Sequence, residues 1–207
     1  MKKSKIITIG LVIAAFVVGY FVGDNSAINR VNKVTDSKIS SKQVDSTKVE
    51  KQQERKPEQK TYKMGEEGAS GNWNIKVLEA KEANTVQGGS SSDNRTTNEK
   101  FIIVKLEMKN TSKQPTQYSS REFMLGNIKD KSQYTVNDTA FSAMGSANSN
   151  ETIYKKNSDF VGVYTDVNPN ITKQTYIVFE VPKDMNISDS VLINANGSSE
   201  TTGFYLE

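Results

Sequence analysis

The chain has 207 residues, a net charge of +3, and neither cysteine nor histidine. The absence of cysteine excludes disulfides, thiol catalysis and thiolate metal sites, and the absence of histidine removes the usual general base and the commonest zinc ligand. Residues 61–207 carry 15 basic and 18 acidic side chains, so the positive charge comes from the first 60 residues. Because nucleic-acid binding needs a basic face on the domain itself, we predict no nucleic-acid partner.

The N-terminal 23 residues have the pattern of a membrane anchor. Lys2, Lys3 and Lys5 precede eighteen uncharged, mostly apolar residues at positions 6–23. A helix of that length spans roughly 27 Å, close to the hydrocarbon thickness of a bilayer. No pair of small residues marks a cleavage site, so we predict an uncleaved anchor whose residues 6–23 contact lipid, with the C-terminal part extracellular. The alternative is a cleaved signal peptide and a secreted protein.

Residues 24–60 have the composition of a spacer between the anchor and a folded domain. The segment is rich in Lys, Ser, Gln, Asp and Glu and has no aromatic residue. Such a composition cannot bury enough apolar surface to fold alone. We therefore predict a disordered tether that holds residues 61–207 away from the bilayer.

Residues 61–207 show the short apolar alternation of β-strands. Trp73 alternates with polar neighbours, and we expect it to pack in the core rather than stack on a ligand. Turn residues separate these runs, and no long stretch has apolar residues at helical spacing. This pattern predicts an all-β domain whose strands form a two-layer sandwich. The predicted strands lie at 73–77, 99–110, 123–125, around 134, 160–164, 174–182, 191–194 and 204–206. Two longer connections, 82–98 and 142–157, are predicted as loops: the first disordered, the second packed down or touching a partner.

Three segments resemble a known family. Residues 101–110 match its aromatic–apolar strand followed by N-x-S/T, Phe123 and Leu125 match its F-x-L strand, and residues 179–184 match its closing F-E-V-P strand. The chain from about residue 62 onward thus resembles the immunoglobulin-like domain of unknown function 4352. This resemblance implies an immunoglobulin-like antiparallel β-sandwich on an exported or surface-attached bacterial protein. Many family members are lipoproteins, and this chain lacks the lipid-bearing cysteine.

The sequence offers no catalytic, cofactor or metal site. Asp130, Asp138, Asp159 and Asp166 are scattered, whereas a calcium loop concentrates oxygen ligands at alternate positions. The candidate partner contacts are three tyrosines in polar surroundings, expected at exposed edges: Tyr62, Tyr118 and Tyr154.

These observations predict a membrane-anchored extracellular module that binds a cell-surface ligand or an envelope protein and is not an enzyme. Three alternatives remain open at this point. The chain could be a secreted antigen-like protein, a structural subunit of an envelope complex, or, more remotely, a hydrolase that uses carboxylates.

Overall fold

Two β-sheets form the body of the domain. A computed structural model describes residues 59–195 and 201–207. One sheet contains β1 Gln59–Tyr62, β5 Phe123–Asn127, β6 Gln133–Thr135, β8 Ser190–Asn194 and β9 Thr201–Tyr205. The other contains β2 Glu67–Ser70, β3 Trp73–Val86, β4 Arg95–Asn110 and β7 Thr172–Val181.

The strand orders are β1-β9-β8-β5-β6 in the five-stranded sheet and β2-β3-β4-β7 in the four-stranded sheet. β1 runs parallel to β9, and the other pairs of neighbouring strands are antiparallel. The predicted β-sandwich is confirmed, and the immunoglobulin-like connection of its strands stays a prediction.

The core lies between the two sheets, where alternate residues of each strand point inward. Leu106 and Phe179 of the four-stranded sheet are fully buried, as are Leu125, Leu192 and Phe204 of the other sheet. Trp73 is also buried, which confirms its predicted place in the core.

A helix that the sequence analysis missed forms a third layer. It comprises α1 Asp138–Ser149, continued by a π-helical turn, Asn150–Tyr154. Asn137 caps it, accepting a hydrogen bond of 2.8 Å from the Ala140 backbone N–H. The prediction of a loop over 142–157 is wrong, and the otherwise β-sheet domain contains this one short helix. Short 3₁₀ turns complete the described structure at Ser91–Asp93, Ser120–Glu122 and Ile187–Asp189.

The buried face of α1 covers the outer face of the four-stranded sheet. Its buried apolar residues recur at i, i+3, i+4 and i+7: Ala140, Ala143, Met144 and Ala147. They belong to the same buried cluster as Ile103 and Val178. Strand β4 is therefore apolar on both faces where α1 lies over it, since Phe101 and Ile103 alternate with the inward-pointing Ile102 and Val104.

Asn148 joins α1 to β7, which is an edge strand. Its side-chain oxygen accepts the Tyr176 backbone N–H at 2.9 Å, and its side-chain nitrogen donates to the Tyr176 carbonyl at 2.9 Å. The same oxygen accepts the Thr175 hydroxyl at 3.2 Å. The amide of one helical side chain thus satisfies the outward backbone groups that an additional strand would otherwise pair.

The segment predicted as a strand at 160–164 is only a bridge beside β7. Phe160 pairs in parallel with Gln174. The Val161 N–H donates to the Gln174 carbonyl at 2.9 Å, and the Gln174 N–H donates to the Asp159 carbonyl at 2.7 Å. This segment covers the β7 edge next to the stretch that Asn148 covers.

The prediction of a disordered loop over 82–98 is also wrong. Strands β3 and β4 continue as a paired hairpin and leave only residues 87–94 as the connection. The pairing there depends on polar side chains rather than apolar alternation. Lys100 Nζ lies 2.7 Å from Glu82 Oε2, and the hydroxyl oxygens of Thr85 and Thr96 lie 3.0 Å apart.

The predicted anchor and almost all of the predicted tether lie outside the described residues. Strand β1 begins at Gln59, two residues before the predicted start of the domain at 61. In residues 59–195 and 201–207, no helix has the length and apolar character that crossing a membrane requires.

Replacing Asn148 with alanine tests the connection between α1 and β7. Because Asn148→Ala leaves the partly buried N–H and C=O of Tyr176 without these partners, we expect the free energy of unfolding to fall by about 2 kcal/mol. Urea unfolding measures it. As a control, Asn72→Ala removes an exposed amide and should change stability by less than about 0.5 kcal/mol. Equal small effects in both variants would contradict the role assigned to Asn148.

Candidate binding surface

Most of the exposed large apolar side chains of the described domain lie on the helical layer or beside it. Phe141 is 39% exposed, Ile153 65%, Tyr154 53% and Tyr164 56%. We call these four residues and the grooves between them the helix surface. Single exposed apolar residues are ordinary, whereas several on one surface mark a binding site.

One groove of the helix surface lies between α1 and the β3–β4 hairpin. This hairpin-side cavity has a volume of about 450 Å³ and is open to solvent. Ser142, Ser146 and Ser149 line it from the helix, while Asp93 and Arg95 line it from the hairpin. Phe141, Ile153 and Tyr154 supply its apolar lining.

Tyr154 connects the end of the helical segment to the hairpin. Its hydroxyl donates a hydrogen bond of 2.8 Å to Asp93 Oδ2, which also accepts the Ser90 hydroxyl at 2.7 Å. The Tyr154 ring packs directly over Gly89, where any β-carbon would overlap it. The ring is therefore held in a defined position at the rim of the cavity.

Hydrogen bonding fixes the charge states of this pair. The bonds from Ser90 and then Tyr154 hold the pKa of Asp93 below its usual value, and the bond to Asp93 raises the pKa of Tyr154. Asp93 is thus a weakly basic, ionised acceptor, and Tyr154 remains a protonated donor at neutral pH.

A second groove lies on the other side of α1 and has a volume of about 230 Å³. It shares Phe141, Gly145 and Ser149 with the hairpin-side cavity, and Tyr164 forms its far wall. Tyr164 has φ = 61°, in the left-handed region that bulky side chains rarely adopt. This conformation is unfavourable for a tyrosine and presents its ring at the groove.

Gly145 lies in the middle of α1 and separates the two grooves. A β-carbon at this position would meet no atom within 4 Å. Glycine lowers helix stability by about 1 kcal/mol relative to alanine, and packing does not require it here. Its absent side chain leaves open space on the exposed side of the helix.

The three tyrosines predicted as partner contacts lie in different environments in the structure. Tyr154 lies on the helix surface. Tyr62 is half-buried and stacks on Phe204, with ring centroids 5.6 Å apart, and so helps to cover the core.

Tyr118 is 1% exposed, and its expected position at an open edge is wrong. Its hydroxyl lies 2.6 Å from that of Thr175, and burial raises the pKa of Tyr118 to about 12. The polar residues around it in the sequence concealed a side chain that enters the core and satisfies its one hydroxyl there.

Phe141, Gly145 and Tyr164 are not among the contact residues predicted from the sequence. The available signal was the spacing of Ala140, Ala143, Met144 and Ala147, which places Phe141 and Gly145 on the opposite side of a helix. Among the residues described, no three Asp or Glu side chains are placed to hold a metal ion.

Comparison with protein families gives a match over residues 62–199 to a domain of unknown function, DUF4352. The chain belongs to this family. The expected resemblance is thereby confirmed. No curated protein is significantly similar to the chain.

Solved structures similar to the DUF4352 chain have low sequence identity to it. A β-sandwich protein of Clostridium difficile 630 is 14% identical, with a TM-score of 0.48, and the match covers 79% of this chain and all of that one. The secreted protein MPT63 of Mycobacterium tuberculosis is 13% identical, with a TM-score of 0.47, covering 70% of this chain and 95% of that one. The yjhA protein of Bacillus subtilis is 13% identical, with a TM-score of 0.42, covering 64% and 81%.

Two glycine-to-alanine substitutions separate a glycine that the fold requires from one that it does not. Gly145→Ala should raise the free energy of unfolding by about 0.5–1 kcal/mol, because alanine favours the helix and its methyl group meets open space. Gly68→Ala should lower it, since the new β-carbon would lie 2.5 Å from the Tyr62 ring and 2.8 Å from that of Phe204. Thermal unfolding monitored by circular dichroism measures both. A destabilised Gly145→Ala variant would show that Gly145 has a packing role.

Proposed function

We propose that the chain is a non-catalytic binding module of the bacterial cell surface and that the helix surface is its contact site. The observation that carries this proposal is the concentration of exposed apolar side chains on one side of an otherwise well-covered domain. In this proposal residues 1–23 anchor the module in the membrane, residues 24–60 are the tether, and the domain lies outside the cell.

Two departures from the most stable sequence support a binding role. Gly145 weakens α1 without a packing reason, and Tyr164 holds an unfavourable backbone conformation. Both line the same groove beside Phe141. Proteins retain such local conflicts where function requires them, and strained residues concentrate at ligand contacts.

The charge states at the helix surface favour binding over catalysis. A general base needs a pKa near the working pH. Hydrogen bonds instead lower the pKa of Asp93 further below neutral pH. The pKa of Tyr154 is raised above its usual value, which makes its hydroxyl a poorer general acid at neutral pH. The chain also contains no histidine or cysteine that could act as base or nucleophile.

Site-specific photocrosslinking in cells tests the proposal. The photoreactive analogue benzoylphenylalanine replaces Phe141 in the full chain, which is expressed in its bacterium of origin and irradiated. We expect a light-dependent adduct, because this exposed ring lies at the partner contact.

Ile171 is the matched control position. It is 44% exposed and lies outside both grooves, so the same analogue there should give no corresponding adduct. Absence of an adduct at position 141, or the same adduct at both positions, would contradict the proposed contact site.

A further inference from the structure

We propose that the hairpin-side cavity binds a saccharide. This inference rests on the proposed function and names the chemical class of the ligand. The cavity combines apolar walls with a set of neutral hydroxyl groups and one charge of each sign, and this combination matches a sugar ring with its apolar C–H face and hydroxyl periphery.

The size of the cavity suits a small ligand. Its volume of about 450 Å³ lies within the range of roughly 300–1,000 Å³ typical of small-molecule sites. Gly145 lines it, and a β-carbon at this position would meet no other part of the domain within 4 Å. The glycine therefore gives a ligand access to the helix backbone.

The polar lining can pair with many hydroxyl groups at once. Ser142, Ser146 and Ser149 follow the i, i+4, i+7 spacing, which places their hydroxyls along one side of α1. Serine hydroxyls both donate and accept, and the Ser142 hydroxyl already donates to the Asp138 carbonyl at 2.9 Å, which leaves its oxygen as an acceptor.

The opposite wall adds one strong acceptor and one strong donor. Asp93 is an ionised carboxylate. The guanidinium of Arg95 is held by the carbonyls of Ser92 and Asn94, at 3.3 and 3.2 Å, through Nη1, and guanidinium groups carry five N–H donors in all. Hydrogen bonds to charged groups are stronger than neutral ones, so these two residues can orient a hydroxylated ring.

The apolar lining supplies a preformed platform. The Tyr154 ring is fixed between Gly89 and the Asp93 carboxylate before any ligand arrives. Aromatic faces carry partial negative charge, which attracts the polarised C–H groups of a sugar ring. Phe141 and Ile153 extend this apolar area along the cavity.

Other ligand classes fit the same lining less well. A purely apolar ligand would remove Asp93, Arg95 and the serine hydroxyls from water without partners. A polyanion would face the Asp93 carboxylate, with Arg95 as the one cation among the described lining residues. An extended peptide needs free backbone partners, whereas the backbone groups within α1 bond to one another.

Titration with defined trisaccharides tests the proposal. The full chain, in a detergent that contains no sugar, is titrated with chitotriose, cellotriose and maltotriose by calorimetry, and contacts are mapped by saturation-transfer NMR. We expect at least one trisaccharide to bind with Kd at or below about 1 mM, in the range of weak but specific ligands.

Variants locate that binding. Gly145→Gln fills the cavity with a side chain that favours the helix, and Tyr154→Ala removes the platform; each should weaken binding at least tenfold. Ile171→Ala, outside the cavity, should bind as the unmodified chain does. Melting temperatures of Gly145→Gln and Tyr154→Ala that still show a cooperatively folded domain, with that of Gly145→Gln no lower than that of the unmodified chain, would show that the losses are local.

The outcomes separate this inference from the proposed function. Failure of all three trisaccharides to bind at 10 mM, or full binding by Gly145→Gln and Tyr154→Ala, would overturn the saccharide proposal. If sugars fail while position 141 still crosslinks to a protein in cells, the contact site stands and its ligand is a protein. If both experiments fail, the helix surface is not a binding site.

Discussion

The side-chain amide of Asn148 binds both outward-facing backbone groups of Tyr176, and the helical layer depends on this interaction. Strand β7 is an edge of its sheet, so its outward N–H and C=O groups would otherwise meet water or another chain. Asn148 is buried and bonds them at 2.9 Å each. The bridge at Gln174 covers the adjacent stretch of the same edge. Helix α1 is therefore attached to the sheet by hydrogen bonds of fixed geometry as well as by apolar packing.

The candidate site follows from how this layer is built. Three of the six buried residues of α1 are alanines, which let the helix approach the sheet closely, and the other side of the helix faces solvent. Phe141, Ser142 and Gly145 lie on that other side, and Tyr154 connects the far end of the helical segment to the hairpin. The sandwich is the rigid support, and the helix carries most of the side chains that line the candidate site. The proposed ligand would thus contact residues from a connection between strands, which is where binding residues commonly lie.

The sequence predicts the sandwich well because large apolar residues mark its strands. Runs such as Ile102, Val104 and Leu106 alternate clearly, and the family resemblance depends on the same strands. The helix is harder to predict because its buried side uses alanine, which differs little in hydrophobicity from the serine and glycine around it. Strand β4 carries an indirect signal, since Phe101 and Ile103 make its second face apolar and require a cover. Tyr118 illustrates the converse, because its polar neighbours conceal a buried ring with one satisfied hydroxyl. The conformation of Tyr164 has no sequence signature, since φ depends on the surrounding chain.

Amide hydrogen exchange at Tyr176 in the full chain tests the central interaction most directly. Ile177 pairs with Val104 inside the sheet and is the internal reference for a protected amide. If Asn148 covers the edge, the Tyr176 N–H, which donates to Asn148 Oδ1, should exchange about as slowly as that of Ile177. Exchange of Tyr176 at the rate of an unprotected amide, with Ile177 still protected, would show that the edge is open and that α1 is not fixed to it.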